Sequence, residues 1–399
     1  MRILMPCAAF PPFIDGGGPV SALLLAKLLK SEGHELRVVH VSDEEKREDY
    51  EGIPVQRKSS LNLYWNYYEP RPKWQKLAWH ALENGNPRAY REMRKEIADY
   101  NPDIVLTDSI ENINVATWAA ARSLGVPVAH TIRSAFLLCW KGVMQKNGKP
   151  CEHQCLTCKV SALGKRRFSQ QVDVVIGESN YILERHRTEG YFRNAEAVRI
   201  PGAIPALVAH EPLSFPMDRP FRIGFISVHT PFKGFDVLGK AAALMPEDAN
   251  IEFVIAGTGR DAFAEQARAL FPPDRTTFTG WMKPEEFFPK IDLLAFPSVG
   301  REAFGRVAVE AFAHAVPVVG SDLGGISETV QPNRNGLLVA PGNPELLQET
   351  LLRIAGDPDR FGRLSAGALQ SAQLYKADKI ASAYTDALSL AIRRRQVAA

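Results

Sequence analysis

Twice along this chain, short apolar runs alternate with amphipathic segments of helical period, and a proline-rich stretch separates the two series. Arg2–Cys7 reads as a strand. A helix follows over Val20–Ser31, with Val20, Leu23, Leu24 and Leu28 on one face, and then a strand over Glu35–Val41. Further strands are expected at 104–107, 126–131 and 172–176. The pattern restarts with strands at 222–227, 251–256, 276–279, 293–297 and 316–319 and helices at 235–245, 262–270 and 307–314. Strands joined through helices can share a sheet only as parallel crossover units. The pattern therefore predicts an α/β chain of two doubly wound, Rossmann-like domains. Ligands bind such sheets at the carboxyl ends of the strands, so two of them facing one another would leave a ligand cleft between them.

The stretch His210–Pro220 holds three prolines and reads as an extended linker, which sets the expected domains at 1–210 and 211–375, with a final helix over 376–399. A length of 399 residues suits two domains. A net charge of +3 gives no basic tail for nucleic acid. No apolar run approaches the ~20 residues of a membrane span. Met1–Pro6 is a strand without the features of a signal peptide. The expected location is the cytoplasm, with peripheral contact at the inner face of the membrane left open.

The segment Arg301–Glu310 carries the most chemistry. An apolar strand precedes it, a helical run follows, and Glu302 and Glu310 lie eight positions apart around a small-residue turn. A strand-to-helix turn aims unpaired N–H groups and the positive helix end at one point, which suits phosphate. On one helix, eight residues at ~100° each would set the glutamates ~80° apart, so Glu302 is better placed in the turn. Phosphate flanked by carboxylate-bound hydroxyls describes a nucleotide-sugar. The bland alternative is an exposed pair of glutamates. Four further turns fit the same ligand: Gly16-Gly17-Gly18 before the first helix, Lys233-Gly234, Ala256-Gly257-Thr258-Gly259 and Phe278-Thr279-Gly280. Taken singly, each is equally a flexible loop or a solvated lysine.

In this order the pieces closely resemble glycosyltransferase family 4, the retaining enzymes of the GT-B fold. The match runs through Lys233-Gly234, Gly257, Gly280, Glu302-Ala303-Phe304-Gly305-Arg306, Glu310, Gly324-Gly325 and Asn335–Val339. It is looser in the first half, where Gly125-Val126-Pro127-Val128 and Glu178-Ser179 carry it. The resemblance implies an acceptor-binding first domain, a donor-binding second domain and a last helix that returns to the first. Glu302 would place the donor sugar, and Glu310 would bind the ribose hydroxyls. Ala303, Phe304, Gly305 and Lys233 would hold the diphosphate, with Gly257 and Gly280 lining the donor and Gly17 and Gly18 approaching from the other domain. No catalytic metal would be needed. The donor would be a UDP-sugar first and a GDP-sugar second. The acceptor would be a saccharide or a lipid-linked saccharide of an envelope glycan. The alternatives are a GT-B epimerase or phosphorylase, or a donor-binding subunit without turnover.

The chain departs from the family at two places. Ser227 and Val228 stand where an arginine of the diphosphate clamp is usual, so either Arg301 or Arg306 substitutes or the donor binds more weakly. Arg133 stands at the usual catalytic histidine. Arginine cannot shuttle a proton, so Arg133 is expected to stabilise charge, and His130 to be a packed residue.

Cys139, Cys151, Cys155 and Cys158 fall within twenty residues, with His153 among them. Their spacing fits a structural zinc site, with free thiols and disulfides as the alternatives. Cys7 is expected to be a small core residue. Residues 57–80 interleave aromatic and basic side chains, which suits anionic lipid, carbohydrate stacking or plain packing.

Overall fold

The strand β1 (Arg2–Pro6) is flanked by β2 (Glu35–Val41) and by a fifth strand, β5 (Ile104–Asp108), and this pairing organises the first half of the computed structural model. The hairpin β3 (Lys46–Tyr50) and β4 (Ile53–Lys58) extends one side through β2. On the other side follow β6 (Val128–Ile132), β9 (Val174–Gly177) and β10 (Glu196–Arg199), giving the order β10-β9-β6-β5-β1-β2-β4-β3. The short strands β7 (Gln145–Lys146) and β8 (Lys149–Pro150) pair with each other. The residues described are 1–13, 17–64, 70–146, 149–259 and 261–397.

All pairs in the large sheet are parallel except β3 with β4. Every residue of β5 and β6 is buried, as expected where helices cover both faces of a parallel sheet. The Pro87–Tyr100 helix starts at Asn86, whose side chain accepts from the Arg88 N–H. The last helix, Ala377–Val397, sets Ile380, Tyr384 and Leu388 into the same core as Ile3, Met5 and Leu25.

The second sheet holds β11 (Phe221–Ile226), β12 (Ile251–Ala256), β13 (Thr276–Gly280), β14 (Leu293–Phe296), β15 (Val318–Ser321) and β16 (Gly336–Val339). Its order is β13-β12-β11-β14-β15-β16, parallel throughout. The chain divides into two units. The first is Met1–Met144, Cys151–Ala203 and Ala377–Ala399, and the second is Ile204–Lys376 with Gln145–Pro150. The division falls ahead of residue 210 because the next segment already belongs to the second unit. Ile204 N–H donates to Tyr375 O, Val208 and Ala209 donate to Ala313 O, and Leu213 N–H donates to Ser365 Oγ. Prolines keep this segment extended, but it lies along its own unit.

Each sheet has a point where strand order reverses: β2–β1–β5 in the first, β12–β11–β14 in the second. Loops leaving the adjacent strands there part to opposite sides and open a crevice. In the second unit those loops carry Lys233 and Glu302. In the first they lead to Gly17 and follow Asp108.

Candidate active site

In the second unit the loop after β11 closes in a short turn, Pro231–Lys233, and the loop after β14 runs from Pro297 to the helix Arg306–Ala313. Backbone bonds tie the two loops together. Val299 and Gly300 N–H both donate to Phe232 O at 3.0 Å. Gly234 has φ +67°, and a Cβ there would stand 1.9 Å from Pro297 O, so only glycine allows this approach. The clamp brings Lys233 Nζ to 2.6 Å from Glu302 Oε1. Ser298 Oγ donates to the same oxygen at 3.1 Å. Behind them, Gly325 N–H donates to Glu302 O at 2.9 Å, fixing the backbone of the turn.

Gly305, at φ +93°, starts the helix and brings no capping side chain of its own. Its first turns therefore direct N–H groups and the positive helix end at the loop that carries Glu302. Phe304 is buried and its carbonyl accepts from Thr329 Oγ1 at 3.0 Å, which anchors the turn from below. Ala303 lies between Glu302 and this anchor. Glu310 follows one side of the helix. Burial raises its carboxyl pKa, and Arg306, donating from Nε to Oε1 at 2.6 Å, works against that shift. The Arg306 guanidinium is thus engaged with Glu310, which bears on its expected substitution for the missing clamp arginine. Val228 is 56% exposed, and His229 beside it is buried, stacked on Phe235 at 4.1 Å. Gly257, with φ +109°, donates its N–H to Gly280 O at 2.7 Å, which joins the β12 and β13 turns.

In the first unit Arg133 leaves the end of β6 between two carboxylates. Its Nε donates to Asp108 Oδ1 and its Nη1 to Glu178 Oε1, each at 2.6 Å. Burial opposes the charge on Arg133, but Asp108 and then Glu178 outweigh it, and the net effect raises the pKa. Arg133 is an ion-paired anchor whose charge is already balanced, rather than an isolated cation. It lines a cavity of about 440 Å³ together with Gly18, Asp108, Glu111, Trp140 and Lys141. Gly17 and Gly18 open the first helix, both exposed, and a Cβ on Gly18 would meet nothing within 4 Å. Gly16 lies outside the described residues. His130 is packed: its Nδ1 lies 2.8 Å from Thr107 Oγ1, and Trp118 and Phe192 cover the ring.

Cys7 is a buried core residue. Of the clustered cysteines, Cys139 and Cys158 are buried, and Cys151 and Cys155 half-buried. The Cys158 thiol is pushed up to about 12 by burial, with Cys139 and Cys155 adding to it, so these three side chains are neighbours. No three His, Cys, Asp or Glu among the described residues are placed to hold a metal ion. Within 57–80, Trp79 is buried, while Trp74 and Leu77 are exposed. Residues 65–69, with Trp65, Tyr67 and Tyr68, lie outside the described residues.

Residues 220–357 match the family described as glycosyl transferases group 1, and residues 16–203 match the glycosyl transferase 4-like domain. The chain belongs to the family-4-type glycosyltransferases. It is 30% identical over 331 residues to an uncharacterized 42.6 kDa protein in the cps region of Klebsiella pneumoniae, covering 82% of this chain and 87% of that one. Sucrose-phosphate synthase from Thermosynechococcus elongatus has the same fold at TM-score 0.74 and 20% identity, covering 97% of this chain and 98% of the other. Anabaena HepE in complex with UDP-glucose aligns at TM-score 0.70 and 19% identity, covering 98% and 99%. The fold of this glycosyltransferase is GT-B. No helix among its described residues is long and apolar enough to cross a membrane.

Sequence reasoning passed over two polar residues of the first unit. Glu111 is half-buried, desolvation raises its carboxyl pKa, and it accepts from Ser134 Oγ at 2.6 Å. Asp108 ends β5 and anchors Arg133. A carboxylate at the carboxyl end of a parallel strand was the available signal.

Proposed function

We propose that this glycosyltransferase moves a sugar, with retention of anomeric configuration and without a catalytic metal, from a nucleoside-diphosphate sugar to a saccharide or lipid-linked acceptor of an envelope glycan. In this proposal the second unit binds the donor and the first binds the acceptor. The observation that carries it is the Lys233–Glu302 contact beside the helix start at Gly305, at the switch point of the second sheet. Lys233 and the helix N-terminus supply positive charge to a diphosphate leaving group. On donor binding Lys233 turns to the diphosphate, and Glu302 accepts from hydroxyls of the transferred sugar. Glu310, partly relieved of Arg306, accepts from the ribose hydroxyls. The departing diphosphate oxygen takes the acceptor proton, so no histidine is required at position 133. The Arg133–Asp108 pair positions the acceptor hydroxyl instead. UDP as the base-bearing carrier finds support in the UDP-glucose complex of Anabaena HepE. The place in envelope glycan synthesis finds support in the relative from the cps region.

The test is product analysis with UDP- and GDP-sugars over a panel of acceptors. Release of nucleoside diphosphate with an unchanged anomeric configuration supports the proposal, and chelator should leave the rate intact. Donor binding with no new glycoside on any acceptor would overturn it. Glu310→Ala should weaken nucleotide binding while leaving the maximal rate within about tenfold, as expected when a ground-state contact is removed.

A further inference from the structure

Two short helices of the first unit leave apolar side chains in the open. Lys73–Leu82 exposes Trp74 (67%) and Leu77 (74%), and Leu156–Ser161 exposes Leu156 (77%) and Val160 (61%). Leu77, Ala81, Trp140, Leu156, Val160 and Leu163 line one groove of about 1160 Å³. An apolar opening of this size on a water-soluble surface marks a binding site, since burial of such area is favourable.

Charge narrows the occupant. Lys73 and Lys76 sit on the rim of the groove. Lys141 and Lys159 are exposed nearby in sequence to Trp140 and Val160. The Lys73–Leu82, Leu156–Ser161 and Leu163–Phe168 helices contain no Asp or Glu. An apolar trough with a lysine rim complements hydrocarbon joined to an anionic phosphate.

Trp140 decides between a lone lipid and a longer molecule. It lines this groove and also the cavity of about 440 Å³ that the charged Asp108, Glu111 and Arg133 line. His80 packs edge-on against it at 5.4 Å, and His80 is itself held by Glu83 at 2.9 Å. Trp140 therefore stands between the apolar groove and a cavity of the same unit that carries charged side chains. An indole suits that position, since its flat face accepts both alkyl chains and sugar rings.

We propose that the groove takes the hydrocarbon chain of a lipid-linked acceptor, with its phosphate at Lys73 and Lys76 and its sugar across Trp140 in the cavity beside Arg133. This rests on the acceptor half of the proposed function and specifies it: the acceptor is an amphiphile, not a free saccharide.

The probe is dodecyl phosphate, held below its micelle concentration and titrated by tryptophan fluorescence, with UDP titrated separately by calorimetry. Leu77→Glu and Val160→Glu alter exposed positions, and unchanged thermal midpoints will show that both variants fold. The wild type should bind the probe, and each variant should bind it at least ~10-fold more weakly, the loss expected from one apolar contact replaced by a charge. UDP affinity should be the same in all three. Equal probe affinity in the variants overturns the proposal. So does a wild type that binds anionic vesicles but not monomeric dodecyl phosphate. A probe difference that persists in a protein without UDP affinity supports the groove and removes the donor reading.

Discussion

Lys233 Nζ and Glu302 Oε1 stand 2.6 Å apart, although the residues belong to loops after different strands and lie far apart in sequence. Each side chain balances the other's charge, and in the function proposed above a bound donor would separate them. Glu302→Gln keeps the shape but removes the charge. Its turnover should fall about 10²–10³-fold, as for other losses of a transition-state contact, with nucleotide affinity nearly unchanged. Steady-state kinetics with calorimetry checks this, and an unaltered rate removes Glu302 from the site.

Lys233→Ala should weaken binding of the diphosphate-bearing donor more than of the free nucleoside. Ser298 also donates to Glu302, so the carboxylate keeps one partner and the loop should stay folded. Parallel titrations of UDP and uridine measure the difference, and equal losses would deny Lys233 a role at the phosphates.

Gly234 and Gly18 should answer differently to the same substitution. Gly234→Ala sets a Cβ against Pro297 O in a left-handed conformation and should cost more than about 2 kcal/mol. Gly18→Ala enters open space at a helix start and should leave stability within about 0.5 kcal/mol. Denaturant unfolding of both variants separates them.

These contrasts show what a sequence of this kind exposes. The parallel sheets and the Glu302 turn were legible because hydrophobic period and glycine turns are local signals. The antiparallel strand β3 was not, since its residues Lys46-Arg47-Glu48-Asp49-Tyr50 carry no apolar alternation. It is held by edge pairing with β4, through contacts such as Arg47 Nε to Gln56 Oε1. The surroundings of Arg133 were hidden for another reason. Asp108 and Glu178 come from separate strand ends, and only the strand order makes them neighbours.

Removing Arg133 should therefore damage the fold as well as catalysis. Arg133→Met leaves Asp108 and Glu178 buried without their cation, a loss of about 3–5 kcal/mol when one partner of such a pair goes. Asp108→Asn with Arg133→Met should recover part of that stability. Thermal melts of the single and double variants test the coupling, and simple additivity would contradict it.

Acid should weaken the first unit through His130. Burial, then the neighbouring His186, lowers its pKa to about 3 in the fold, against ~6.5 for an unperturbed histidine. A lowered histidine pKa favours the neutral ring, so its contribution is complete above ~6.5 and is lost as pH falls toward 3. The slope is at most ~1.4 kcal/mol per pH unit for this one proton. His130→Gln should flatten the melting-temperature curve between pH 6 and 4, and an unchanged curve would place the proton elsewhere.

The helix Ala377–Val397 completes a core begun by the first strand. Synthesis runs from the other end. Ile3 and Met5 share their core with Leu388 and Ala391, which are made only after the whole second unit. The second unit, continuous from Ile204 to Lys376 apart from one short hairpin, is free to close earlier. During synthesis the second unit can thus close before the core of the first is complete.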